Sequence, residues 1–98
     1  MRFEIVLAPG AVQDLLNLRA FERAQVRDAI EQSLRHEPTR VSRSRIKRLK
    51  RLQQPQFRLR VGDIRVFYDV TETTVQVLAV VSKEQAQGWL AQEGTSET

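Results

Sequence analysis

Residues 57–70 read FRLRVGDIRVFYDV, and this stretch decides the fold. Apolar and polar residues alternate on either side of Gly62-Asp63, the pattern of two half-buried strands joined by a two-residue turn with glycine at the position that needs positive φ. In that register Val61 faces Ile64, Leu59 faces Val66 and Phe57 faces Tyr68, all on one apolar face. On the other face Arg60 lies opposite Arg65, and Arg58 lies beside Phe67. Like charges directly opposite destabilise a strand pair. A sequence shaped by stability alone would carry an acid or a threonine there, or would need Asp69, Glu4 or Glu84 to neutralise the cluster. Three arginines gathered on one sheet face are a candidate site.

Working outward, Val75 to Val81 (VQVLAVV) reads as a third strand after a turn at Glu72-Thr73, with Val75, Val77, Ala79 and Val81 on the core face. Phe67, Leu78 and Val80 then form an apolar patch beside the arginines. That patch is either open to a partner or a stacked base, or covered by a last helix through Trp89 and Leu90. Ser82 with Gln85 fits a helix-opening capping box, which sets Lys83 at the sheet end near Arg65. Upstream, residues 2–7 read as a first strand with Phe3 and Ile5 on one face, closed by Pro9-Gly10. Val12, Leu15, Leu16 and Leu18 mark one helix; Phe21, Ala24, Val26, Ala29, Ile30 and Leu34 mark a second, closed by Pro38. His36 in its last turn reads as structural. Residues 37–55 form a long connection that Ile46, Leu49 and Leu52 pin to the core. The expected order is β-α-α-β-β-β-α, an α+β fold with a helical hairpin packed on a mostly antiparallel four-stranded sheet. It forms a single domain over residues 1–92, with a disordered tail at 93–98.

Charge is polarised along the chain. Between Pro38 and Gly62 there is no acid, and the window holds Arg40, Arg43, Arg45, Lys47, Arg48, Lys50, Arg51, Arg58 and Arg60, nine of the sixteen bases. The remainder is acidic on balance, seven bases against twelve acids. Such a segregated positive surface attracts polyanions, so a nucleic acid or an acidic protein is the expected partner.

Composition narrows the classes further. The chain has 98 residues, 41% of them hydrophobic and 29% charged, which fits one globular domain. With no cysteine and one histidine, disulfide frameworks and the usual zinc clusters are excluded. No metal or cofactor is expected. No apolar run approaches the roughly 20 residues of a membrane span, and no secretory h-region opens the chain. A cytoplasmic location is expected.

The stretch IKRLKRLQQPQFRLRVGDIRVFYDVTETTVQVLAVVSKE resembles the RelE/ParE superfamily of toxins from bacterial type II toxin–antitoxin systems, and APGAVQDLLNL with Pro38 after the second helix agrees with it. The resemblance covers residues 1 to about 90 and implies a RelE-like fold. Its RelE branch is similar to ribosome-dependent mRNA endonucleases, in which the 2′-hydroxyl attacks the adjacent phosphate without a metal; its ParE branch is similar to inhibitors of DNA gyrase. On the RelE side the resemblance implies that Arg58, Arg60, Arg65 and Lys83 are catalytic. It also implies that Arg43, Arg45, Lys47, Arg48, Lys50 and Arg51 clamp ribosomal RNA. Arginine forks suit the charge of a phosphorane-like transition state. The implied partners are an acidic antitoxin, the ribosome and mRNA, with operator DNA reached only through the antitoxin complex. Two departures stand out. Arg58 and Arg60 replace lysines common in the family, and arginine is a poor general base. The family's late tyrosine aligns with Trp89, which exchanges no proton at neutral pH, leaving Lys83 as the candidate proton carrier. A gyrase inhibitor, or a member that only binds RNA or antitoxin, is the alternative.

Overall fold

The computed structural model describes residues 1–96. Strand β1 (Glu4–Leu7) leads into helices α1 (Pro9–Leu16) and α2 (Ala20–Leu34). Short strands β2 (Ile46–Arg48) and β3 (Leu52–Gln54) follow, then β4 (Phe57–Val61), β5 (Ile64–Val70), β6 (Thr74–Ser82), α3 (Lys83–Glu93) and β7 (Thr95–Ser96). The main sheet has five strands in the order β1-β6-β5-β4-β2, with β1 parallel to β6 and the rest antiparallel; β3 and β7 pair separately. The class is the expected α+β, but the strand count is a correction. The connection at 37–55 contributes an edge strand of three residues, too short for alternation to show. At the expected tail, Glu93 ends α3 and Thr95–Ser96 pair with Leu52 and Gln54, while residues 97–98 lie outside the described residues.

The core lies between the sheet and the helical hairpin. Val26, Leu34, Leu59, Val66, Tyr68, Val75 and Val77 have no exposure at all. Each buried side chain of this size contributes about 1.5–3 kcal/mol. The helices dock by polar contacts at their ends. Arg23 of α2 donates to the carbonyls of Leu15 and Leu18 at 2.9 Å, closing α1 and the inter-helix turn. Arg35, paired with Glu31, donates to Phe3 O at 3.0 Å and ties α2 to the first strand. Tyr68 donates to Pro38 O at 2.6 Å, anchoring the start of the long connection.

The β4–β5 hairpin has the expected register: Phe57 pairs with Tyr68, Leu59 with Val66, Arg60 with Arg65 and Val61 with Ile64. Gly62 sits at φ 58°, the left-handed conformation that glycine adopts without steric cost. Strand β6 departs from expectation. Tyr68 pairs with Val77 but Phe67 pairs with Ala79, so Leu78 is an extra residue, a β-bulge. Past it the faces exchange: Val80 joins the core opposite Val66, while Ala79 and Val81 turn to the arginine face. Past the end of β1, the Val80 amide is taken up by the Asp14 carboxylate at 2.9 Å. No helix among the described residues is long and apolar enough to cross a membrane.

Candidate functional site

The sheet face turned away from the helical hairpin carries two rows of side chains running across the strands. Lys47 pairs with Arg58 and Arg58 with Phe67, making one row across β2, β4 and β5. Arg60 pairs with Arg65 in the next row, and the Arg60 amide donates to Arg45 O at 2.8 Å, continuing the β2–β4 ladder one residue beyond the strand. Five of the six places in this grid are cations; Phe67 is the sixth. Adjacent strands are only about 4.8 Å apart, so these charges are crowded.

Helix α3 covers one end of this face. Ser82 Oγ accepts the Gln85 amide, the Lys83 amide donates to Asp63 O at 2.8 Å, and Trp89 stacks on Phe67 with ring centroids 5.0 Å apart and planes 5° apart. The apolar patch expected beside the arginines is reduced to Phe67, which Trp89 covers: Val80 faces the core and Leu78 is the bulge residue. Between α3 and β2 remains a cleft of about 330 Å³ lined by the cations Lys47, Arg58, Arg65 and Lys83 together with Leu49, Phe67, Ala86, Gln87 and Leu90.

Arg58 is the group under most stress. Its Nε is buried and has no hydrogen-bond partner. Burial pushes its pKa down, and the like charges of Arg65 and Arg60 push the same way. An arginine keeps its proton regardless, so the cost is borne by the fold. Arg65 is aimed by the turn, donating to Gly62 O at 2.8 Å. Lys83 is exposed, with Nζ 3.7 Å from Asp63 Oδ1. Arg58, not this lysine, is the cation that the fold buries. Asp69 does not neutralise the cluster, because its carboxylate accepts the Gln56 amide at 2.8 Å and is bonded by Gln54.

The residues singled out in the sequence are thus divided. Arg58, Arg65 and Lys83 meet in the cleft, and Arg60 stands beside it, lining a neighbouring hollow with Ser44 and Arg45. Of the expected RNA clamp, Lys47 belongs to the cleft itself. Arg48 points to the opposite face, its guanidinium 5.1 Å from the Phe57 ring centroid. Arg43 is exposed in the loop before β2, and Lys50 and Arg51 occupy the β2–β3 turn, Arg51 at φ 66°. Tyr68 lies in the core, where burial pushes its hydroxyl up, far from proton exchange. Trp89 packs α3 down. Leu49, expected in the core, lines the cleft instead. Of the α3 wall, Ala86 and Gln87 were missed, although they stand with Lys83 and Leu90 at the i, i+3, i+4, i+7 spacing of one helix face.

The family model described as the ParE toxin of type II toxin–antitoxin systems, parDE, matches residues 5–87. The chain belongs to that family. Solved structures agree on the fold of this ParE-family chain. The toxin–antitoxin complex RelBE2 from Mycobacterium tuberculosis is similar at 28% identity and a TM-score of 0.72, over 84% of this chain and 99% of that one. The RelB–RelE antitoxin–toxin complex from Methanococcus jannaschii is similar at 21% identity and a TM-score of 0.66, over 86% and 96%. The YoeB dimer from Staphylococcus aureus is similar at 14% identity and a TM-score of 0.54, over 83% and 97%. Among curated proteins, none matches the chain. Membership of the RelE/ParE superfamily, implied by the FRLRVGDIRVFYDV stretch, therefore holds.

Proposed function

We propose that this chain is the toxin of a type II toxin–antitoxin pair and that its cleft cuts messenger RNA on the ribosome. The observation that carries this reading is Arg58: a half-buried guanidinium with an unpartnered Nε, hemmed in by Arg65 and Arg60, is a seat for a phosphate. In the reaction the 2′-oxygen bonds to the adjacent phosphorus and the P–O5′ bond breaks, leaving a 2′,3′-cyclic phosphate and a 5′-hydroxyl. Arg58 and Arg65 balance the charge added at phosphorus. The 2′-hydroxyl proton goes to solvent, and the Lys83 ammonium supplies the proton that the 5′-oxygen takes before being recharged from solvent. With no tyrosine in the cleft, positioning of the message by the ribosome carries much of the rate. Arg43, Arg45, Lys50 and Arg51 hold ribosomal RNA from the exposed edge. The antitoxin is an acidic chain that covers the cleft and supplies the contact to operator DNA.

The family match with ParE supports a second reading, inhibition of DNA gyrase through a protein contact on the same fold. Induction of the chain in bacteria separates the two. Mapping of mRNA 5′ ends is expected to show new cuts within translated codons, with plasmid supercoiling unchanged. Intact messages with relaxed or broken DNA would select the gyrase reading.

A further inference from the structure

The cations of the cleft leave its other lining residues unexplained. Leu49 after β2 and Ala86 and Leu90 of α3 are apolar, as is Phe67 of β5. Among the residues lining the cleft, Gln87 is the one uncharged side chain with hydrogen-bonding groups, and it is exposed. At about 330 Å³ the cleft lies at the small end of the range for ligand sites, roughly 300–1,000 Å³, room for one nucleotide and not for several.

A nucleotide joins the two chemistries that line the cleft. Its phosphate suits Arg58, Arg65, Lys47 and Lys83; its base offers flat apolar faces and an edge of donors and acceptors. A glutamine amide presents one acceptor and two donors in a plane, the group that pairs with a base edge in two bonds. The backbone that carries Gln87 is held in place. It sits in the middle of α3, which is capped at Ser82, stacked through Trp89 and followed directly by the β3–β7 pairing. A side chain on a fixed helix can read an edge that a loop could not.

We infer that the cleft seats a single RNA nucleotide with its base against Leu49 and Leu90, and that the Gln87 amide selects which base is accepted. This rests on the RNA reading of the cleft.

The test is equilibrium binding of the four ribonucleoside 3′-monophosphates and of inorganic phosphate to the intact chain and to Gln87→Leu, followed by amide NMR shifts. Gln87→Ala guards against a bulky leucine simply blocking the seat. The wild type is expected to separate the four nucleotides by on the order of tenfold, as a bidentate base contact does. Both variants are expected to bring the four within about twofold while phosphate binds as before. A wild type that does not discriminate, or variants that discriminate equally well, would overturn the role of Gln87 and leave the phosphate seat standing. Failure of the wild type to bind phosphate or any nucleotide would overturn the RNA reading along with it.

Discussion

Arg60 stands directly opposite Arg65 in the β4–β5 ladder, and the Arg60 amide bonds to the carbonyl of Arg45 on the other side. Three guanidinium-bearing residues therefore sit abreast on one sheet face with no acid among them. Removing one should relieve the fold. Arg60→Thr is expected to stabilise the protein by about 0.2–1 kcal/mol, the size of a cross-strand pair effect, read as a higher urea midpoint. Arg65→Ala is expected to leave stability within about 0.5 kcal/mol of wild type while abolishing growth inhibition. A soluble, folded Arg65→Ala variant that still arrests growth would remove this face from the mechanism.

Binding of single-stranded RNA is expected to weaken steeply with salt, by a slope of about −0.7 in log–log terms for each phosphate neutralised. Arg58→Gln should flatten that slope by roughly one contact, because Arg58 is the cation seated deepest in the cleft. A salt-independent affinity would point to an apolar protein partner.

Trp89 is the only tryptophan of the chain, so its fluorescence reports directly on the seating of α3. The Phe67–Trp89 stack is worth about 0.5–1.5 kcal/mol beyond its buried area. Trp89→Ala is expected to detach α3 at lower denaturant than the sheet unfolds, seen as early loss of helical circular dichroism. It should also abolish toxicity by opening the cleft wall. Coincident unfolding of helix and sheet in this variant would show that the stack is dispensable.

Burial holds the Tyr68 phenol un-ionised above its ordinary value of 10.0. In the unfolded chain it ionises near that value, so above it the unfolded state binds fewer protons and stability falls as pH rises. Tyr68→Phe removes this alkaline loss. At neutral pH the same change is expected to cost about 1–3 kcal/mol, because the buried Pro38 carbonyl loses its donor. Melting temperatures at pH 7 and pH 11 check both signs.

The Glu31 carboxyl is held below its ordinary value of 4.5 chiefly by its hydrogen bond to Arg35, and Arg35 in turn grips Phe3 O. Its contribution to stability is present above about pH 4.5 and is lost as pH falls through the lowered value. Wild type and Glu31→Gln should therefore differ in urea midpoint at pH 7 and converge towards pH 3. A constant gap would show that the pair does not act through ionisation.

The hairpin at Gly62-Asp63 was legible because a two-residue turn fixes the register of everything flanking it, which sets Arg58, Arg60 and Arg65 on one face from the sequence alone. The helical hairpin was legible by period. Strands of two and three residues were not, since Ile46–Arg48 and Leu52–Gln54 are too short to alternate and owe their form to neighbours distant in sequence. The covering of Phe67 by Trp89 was undecided for the same reason, as α3 has no buried stripe to declare which way it lies. Nor does a run of valines disclose that Leu78 breaks the alternation of β6.

That bulge governs more than local packing. Side chains of a strand alternate in parity, and one added residue reverses the parity of all that follow. With Leu78 in place, the first half of β6 serves the core through Val75 and Val77, whereas its second half delivers Val81 beside Arg65 and brings the chain to Lys83 at the mouth of the cleft. Were Leu78 to take an ordinary place in the ladder instead, unbroken alternation from Val75 would send Val81 towards the hydrophobic interior. The chain would then leave the strand half a turn out of phase, and α3 would set off from the wrong side. A single residue in a stretch of valines thus settles which surface of the sheet acquires a roof.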